Sequence, residues 1–321
     1  MAALIAVAAL AIRSSGDARA ALKLTERARL WPLAAALGFQ FLYYVFAGLV
    51  VRQILLLVDF RAPFWWTVHA TFLLIFVSRI VPGPALTGPA LMYLLLERRG
   101  LRRARSAFVG PMFFVVDYGV FFVLLAAGLL ALSTRHPLTR GDLAAVPLLA
   151  IAFGILVAVL WALRCPRRIE AVLRPPARAA NAALKALRLK ARISESAPAQ
   201  AAAAASEVRE RWKSRPGLAV SIVSAGLAML LCDVATMACV FRAFGVVLAP
   251  STALLGFCLA TVGALASILP GGLGGFEVAM VLGFVGLGAP RPAAIAATLV
   301  YRLIATWFPA LPGLSAYRNL R

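Results

Sequence analysis

The sequence has few of the residues on which soluble enzymes depend. Only 14% of its 321 residues are charged, only two are histidines (His69 and His136), and its four cysteines form no CxxC pair. A disulfide framework and a zinc site are therefore not indicated. There is also no G-x-x-x-x-G-K-[ST] loop, no G-x-S-x-G elbow and no H-E-x-x-H helix. We therefore expect no enzyme activity, no cofactor and no metal.

Apolar residues are abundant instead. They make up 63% of the chain and the mean hydropathy is +0.91, whereas soluble domains are about half apolar. Charged residues lie in short stretches between long apolar runs, which predicts an all-α polytopic transmembrane helix bundle of about 6 to 8 segments. The runs are Trp31–Val58, Pro63–Leu96, Ala107–Leu132, Ala144–Leu163, Pro216–Phe244, Ser251–Leu269, Phe276–Gly288 and Pro292–Leu314.

The positive charges are distributed as in an inner-membrane protein. A net charge of +21 also occurs in nucleic-acid-binding proteins, but counting spans places the basic stretches on one side of the membrane and few basic residues on the other. The positive-inside rule makes that side cytoplasmic, together with the C-terminus, and nucleic acid is not expected as a partner. The basic stretches are Arg13–Leu30, Arg98–Arg105, Arg164–Arg215 and the tail with Arg318 and Arg321; the opposite side holds Arg61, Arg135, Arg140 and Arg291.

A basic, Ala-rich stretch at 164–215 divides the chain into parts. It separates a first transmembrane half, 31–163, from a second half, 216–321, and residues 1–30 form an apolar segment followed by a basic cytoplasmic stretch. The stretch at 164–215 is either a helix on the anionic inner leaflet or a solvated linker helix. The first twelve residues are either an interfacial segment or part of a truncated span.

Two apolar runs are interrupted by proline and glycine. Pro63–Leu96 contains IVPGPALTGP, and the run that begins at Ser251 continues into ILPGGLGG. Lipid cannot satisfy the backbone groups that such breaks free, so a break must be buried in protein or line a polar cavity. Because the breaks occupy corresponding places in the two halves, Pro82-Gly83 and Pro270-Gly271 predict a transporter-type binding site. A pair of helix kinks is the alternative.

The second break also decides the expected topology. Phe276–Gly288 has 13 residues, which is about 20 Å of helix and too short to cross about 30 Å of hydrocarbon. We therefore expect Ser251–Gly288 to enter and leave at the outer face as a re-entrant hairpin. Pro63–Leu96 is expected to cross the membrane, which places the Arg98–Arg105 cluster on the same side as Arg13–Leu30.

Five charged residues fall inside the predicted spans, where a charge costs about 2.5 to 3.5 kcal/mol and usually marks function. Counting residues from the membrane surfaces places Asp117, Glu277 and Arg302 near the midplane as a charged cluster. Arg79 lies nearer the inner side and Asp233 nearer the outer side, where snorkelling or local pairing accounts for each.

Glycines immediately before Glu277 favour an anion site. Gly272 and Gly274 belong to the run that precedes it, so exposed amides at the start of a half-helix can face a lipid phosphate, with Arg302 as the counter-charge. The alternative is a purely structural Glu277–Arg302 ion pair that holds helices in register.

The motif SILPGGLGGFE, with Tyr301-Arg302-Leu303 in the last span, resembles the lysylphosphatidylglycerol synthetase transmembrane-region family, also called flippase-like membrane proteins. The resemblance runs from about Trp31 to Leu314. The first-half counterpart, Pro82-Gly83 followed by LLLERRG, departs from the glycine-richer form of the family. The most specific residues of the resemblance are Pro270, Gly271, Gly272, Gly274, Glu277 and Arg302.

The resemblance implies an inner-membrane protein that translocates or helps to place lipids. Aminoacyl-lipid synthases of the family carry a cytosolic transferase domain after the membrane region. This sequence stops seven residues after Leu314, so we expect no aminoacyl transfer.

Two function hypotheses follow. The first is a lipid translocator whose site lies at the two breaks and whose partners are membrane lipids with an anionic headgroup. The second is a non-transporting scaffold that binds a lipid-modifying enzyme through the basic linker, as a single chain or a homo-oligomer. An intramembrane glycosyl or acyl transferase is less well supported, because the catalytic residues are lacking.

Overall fold

The structure is a computed structural model, and it describes residues 16–80, 84–133, 214–267 and 272–309, with isolated positions between 154 and 211. Nine α-helices account for most of these residues, and a π-helical turn, Leu303–Trp307, follows the last of them. The helices are α1 (Gly16–Glu26), α2 (Leu30–Leu57), α3 (Phe64–Ile80), α4 (Pro84–Arg98), α5 (Arg103–Ser133), α6 (Pro216–Ala243), α7 (Pro250–Ala266), α8 (Gly275–Gly286) and α9 (Arg291–Arg302).

Within the described ranges, three helices, α2, α5 and α6, are long and apolar enough to cross a membrane. Helices α2 and α6 have 28 residues each, or about 42 Å, which exceeds the hydrocarbon thickness. They pack antiparallel along their whole length. The Arg29 N–H donates to the Ala243 carbonyl (3.0 Å), and the Gln53 amide donates to the Ser221 hydroxyl (2.9 Å). The predicted polytopic all-α fold is confirmed.

The contacts between α2 and α6 define two ends of the bundle. At the Arg29 end, Arg29 meets Ala243. At the other end, which we call the linker end, Arg211 donates to the Leu57 carbonyl (2.9 Å) and pairs with Asp59 (2.8 Å). The last residues of the basic linker are therefore fixed to the C-terminal end of α2.

The basic stretches do not all lie at one end. Arg105 donates to the Val58 carbonyl (2.9 Å), so the Arg98–Arg105 cluster lies at the linker end with Arg211. The stretch that finishes at Arg29 lies at the opposite end, and the prediction that it shares a side with the other clusters is wrong. Arg61, expected on the opposite side, lies at the linker end, in the loop between α2 and α3.

The cause of this error is the first broken segment, which forms a hairpin and does not cross. Helices α3 and α4 run antiparallel, since Gly88 lies against Ser78 and the Arg99 guanidinium lies 4.4 Å from the Trp66 ring centroid. Both ends of the hairpin are therefore at the linker end. The 17 residues of α3 extend only about 25 Å before the chain reverses at the break.

The second broken segment is the hairpin that the sequence predicts, and it enters from the Arg29 end. Gly263 of α7 and Gly275 of α8 approach so closely that a Cβ on either would meet the carbonyl oxygen of the other. Helix α7 has 17 residues and α8 has 12, or about 25 Å and 18 Å, both short of a full crossing.

The described helices of the two halves have inverted arrangements. In the first half, α2 runs to the linker end, the α3–α4 hairpin enters there, and α5 runs back to the Arg29 end, where Gly128 meets Leu255. In the second half, α6 runs to the Arg29 end, the α7–α8 hairpin enters there, and α9 runs inward. Inverted-topology repeats of this kind are typical of transporters.

Candidate functional site

Residues near the breaks of both hairpins line one cavity of about 210 Å³. Ser78, near the end of α3, lies on its wall together with Ala264 and Gly272, which flank the second break. Tyr43 and Leu230, near the middles of α2 and α6, also line the cavity and place it at mid-depth. Pockets for drug-sized ligands have volumes of about 300 to 1,000 Å³, so this cavity is smaller than such a pocket.

The inverted repeat explains which residues line the cavity. A shift of 188 positions aligns Pro82 with Pro270, and three further pairs related by the same shift lie on the wall. In each pair, one half supplies a polar or charged side chain and the other half an apolar one. The pairs are Phe113 with Tyr301, Phe114 with Arg302, and Asp117 with Ala305.

Glu277 and Arg302 form an ion pair beside the cavity. Arg302 Nε donates to Glu277 Oε1 (2.6 Å), and Arg302 Nη2 donates to the Gly272 carbonyl (3.2 Å). The guanidinium also lies 4.3 Å from the ring centroid of Phe276, at cation–π distance. The side chains keep 27% (Glu277) and 17% (Arg302) of their surface exposed. The structure thus fixes α9 to the tip of the second hairpin through several contacts at once.

The glycines of the second break require special backbone conformations. Gly272 and Gly274 have φ values of +69° and +80°, a region in which other residues are strained. The turn allows the Gly274 N–H to donate to Glu277 Oε2 (2.7 Å). The predicted role of this amide needs a correction, because the chain's own Glu277 carboxylate occupies the position expected for an external anion.

Asp233 has a local partner rather than a snorkelling side chain. It is buried, and its Oδ1 accepts a hydrogen bond from the Tyr301 hydroxyl (2.8 Å). The Tyr301 ring stacks on Phe276 with 5.6 Å between centroids, and Phe276 packs under Arg302. Asp233 also lines the cavity with Arg302, although its position along the sequence suggested a different depth.

Tyr301 and Phe276 are site residues to which the sequence reasoning assigned no role. Both flank a recognised residue in the sequence, and the shift of 188 positions relates Tyr301 to Phe113. The first half has phenylalanine where the second half has tyrosine, and this difference was a sign in the sequence that Tyr301 has a role in the site. It became informative only when the structure placed both positions on one cavity wall.

Some of the remaining predicted site residues are described by the structure, and others are not. Asp117 lines the cavity from the middle of α5, whereas Arg79 is helical in α3 and its side chain is not described. Pro82-Gly83 and Pro270-Gly271 lie outside the described residues, as does most of the linker at 164–215. Within the described ranges no three His, Cys, Asp or Glu side chains are grouped to hold a metal ion.

Comparison with known proteins gives one family. The family model described as Lysylphosphatidylglycerol synthase TM region matches residues 1–313. The matched part includes both hairpins, both breaks and the Glu277–Arg302 pair. No curated protein matches the chain.

Proposed function

We propose that this chain, which belongs to the lysylphosphatidylglycerol synthase transmembrane-region family, moves a membrane lipid between the two leaflets of the inner membrane. One observation carries the proposal. The α3–α4 and α7–α8 hairpins enter the bundle from opposite ends, and residues near the break of each line one cavity at mid-depth, whose largely apolar wall carries charged side chains from α5, α6 and α9.

This arrangement lowers the barrier that a headgroup meets. A charged group at the centre of a bilayer costs several kcal/mol or more, and the cavity replaces hydrocarbon there by Arg302, Asp117, Asp233 and Tyr301. Each hairpin contributes residues to the cavity wall, and in this proposal a movement of either hairpin opens the cavity to one leaflet. The headgroup travels through the protein while the acyl chains stay in lipid.

The headgroup that we propose carries an anionic phosphate. Arg302 supplies the positive charge, and guanidinium groups bind phosphate oxygens in paired hydrogen bonds. The sequence has no ATP-binding motif, so the movement that we propose runs down a gradient or is coupled to an ion. Among the described residues, Arg61, the Arg98–Arg105 cluster, Arg211 and Arg215 lie at the linker end, which is the cytoplasmic end in this proposal.

Transbilayer exchange in liposomes tests the function. The purified protein should speed the exchange of a fluorescent phospholipid relative to empty liposomes, without ATP. Leu265→Trp places a larger side chain on the cavity wall and should slow exchange, because Leu265 lines the cavity and is 48% exposed. Leu282→Trp is the matched control on α8, since Leu282 is 60% exposed and does not line the cavity.

The alternative function makes a different prediction in the same assay. A scaffold for a lipid-modifying enzyme would leave exchange at the rate of empty liposomes for every lipid class, with or without a pH gradient. Equal rates for the two Leu→Trp variants would also contradict a path through the cavity.

A further inference from the structure

The Glu277 carboxylate holds two donors that would suit a phosphate. Its Oε1 accepts from Arg302 Nε (2.6 Å), and its Oε2 accepts from the Gly274 N–H (2.7 Å). The terminal oxygens of a phosphate diester are likewise bound by arginine and by amides at a helix N-terminus. The Glu277 carboxylate thus presents two oxygens to these donors, as the phosphate of the proposed headgroup would.

The ion pair is not a requirement of the hairpin design. The positions of the first half that correspond to Glu277 and Arg302 under the shift of 188 are occupied by Pro89 and Phe114. The α3–α4 hairpin nevertheless packs against α5, with Gly110 lying against Pro89. A hairpin of this kind therefore forms with apolar residues at both positions, and the charges of the second half serve something besides the architecture.

The pair can also be reached without unfolding the bundle. Arg302 lines the cavity, and 27% of the Glu277 side chain is exposed. Without an anion at this position, the Arg302 guanidinium and the Gly274 N–H would lose the acceptor that both share, which is costly at mid-depth. Glu277 supplies that acceptor whenever the cavity holds no headgroup.

We infer that Glu277 is a stand-in anion: the phosphate of an entering lipid headgroup displaces its carboxylate from Arg302 and Gly274, and the carboxylate returns when the headgroup leaves. The inference rests on the proposed function, because it concerns the same cavity. It makes Glu277 a competitor of the headgroup, so wild-type affinity for the lipid is kept low and release is favoured.

The test measures lipid affinity of the purified full chain in detergent by titration calorimetry. The probes are dioctanoyl phosphatidylglycerol, dioctanoylglycerol, which lacks phosphate, and inorganic phosphate. Glu277→Gln should bind the phospholipid about tenfold more tightly than the wild type, because one competing charge-assisted hydrogen bond is weakened. The Glu277→Gln/Arg302→Gln variant should lose this gain, and dioctanoylglycerol should bind equally to all variants.

Two further variants complete the test. Glu97→Gln is the matched control, since Arg103 Nε meets Glu97 Oε1 at the same 2.6 Å away from the cavity, and its affinity should equal that of the wild type. Glu277→Asp keeps the charge but is too short to hold both donors, so it should give a smaller gain. Glu277→Asp is measured in place of Glu277→Gln if Glu277→Gln does not fold.

The inference is overturned if Glu277→Gln and Glu277→Asp both bind the phospholipid no more tightly than the wild type. A gain for inorganic phosphate without a gain for the phospholipid overturns it as well. Unchanged affinity together with normal exchange in liposomes removes only the stand-in role. Absence of exchange removes the proposed function, whatever the affinities are.

Discussion

Removing the Glu277 carboxylate should lower the free energy of unfolding, and the exposure of the ion pair gives the size of the loss. Breaking a fully buried ion pair costs about 3 to 5 kcal/mol, and an exposed pair contributes at most about 1 kcal/mol. With 27% of Glu277 and 17% of Arg302 exposed, the pair lies between these limits, and we expect about 2 kcal/mol from its loss. Loss of the hydrogen bond from Gly274 at the start of α8 adds about 1 kcal/mol.

Glu277→Ala should therefore lower the free energy of unfolding by about 3 kcal/mol. Glu277→Gln keeps one acceptor and should lose about half of that. Thermal or SDS-induced unfolding in detergent, followed by circular dichroism, measures the difference. Glu97→Ala removes an ion pair of the same 2.6 Å length whose Arg103 side chain is 64% exposed, so it should cost clearly less than Glu277→Ala. The reasoning is refuted if Glu277→Ala is as stable as the wild type, or if Glu97→Ala is destabilised equally.

Two further predictions concern topology and the Asp233 contact. In a cysteine-free background, Arg29→Cys should react with an impermeant thiol reagent in intact cells and Arg99→Cys should not, because the two lie at opposite ends of the bundle; equal labelling would contradict the inverted arrangement. Tyr301→Phe keeps the stacking on Phe276 but removes the hydrogen bond to buried Asp233, so it should lower stability by about 1 to 3 kcal/mol. In an Asp233→Ala background, which lacks the acceptor, the same change should cost less, and an undiminished cost would show that the hydrogen bond does not stabilise the fold.

The helices themselves could be read from the sequence. Long apolar runs predicted α2, α5 and α6 to within a few residues, and the length of Phe276–Gly288 predicted the second hairpin. The first hairpin was missed because Pro63–Leu96 has 34 residues in one run, enough for a crossing, and hydropathy does not reveal whether a chain reverses at a proline. One missed reversal then placed Arg13–Leu30 on the wrong side.

The sequence predicted which charged residues belong to the site better than it predicted which atoms they contact. Depth counting brought Glu277 and Arg302 together, because residue number along a helix converts directly into height. It separated Asp233 from them, since height along one helix does not include the tilt and offset of its neighbour. The Gly274 amide was expected to be open, and only coordinates could show that Glu277 reaches back to it.

The sequence by itself determined that this protein lies in a membrane, that it has two related halves, and that each half is broken by proline and glycine at one place. These properties depend on composition and local backbone chemistry, which can be recognised in the sequence without knowledge of the tertiary contacts. The tertiary structure decided that the halves are inverted, that residues near both breaks line one cavity, and that Tyr301, Phe276 and Asp233 belong to it. Such relations join residues far apart along the chain, and they are fixed by the packing of α2 against α6 and of each hairpin against its neighbours.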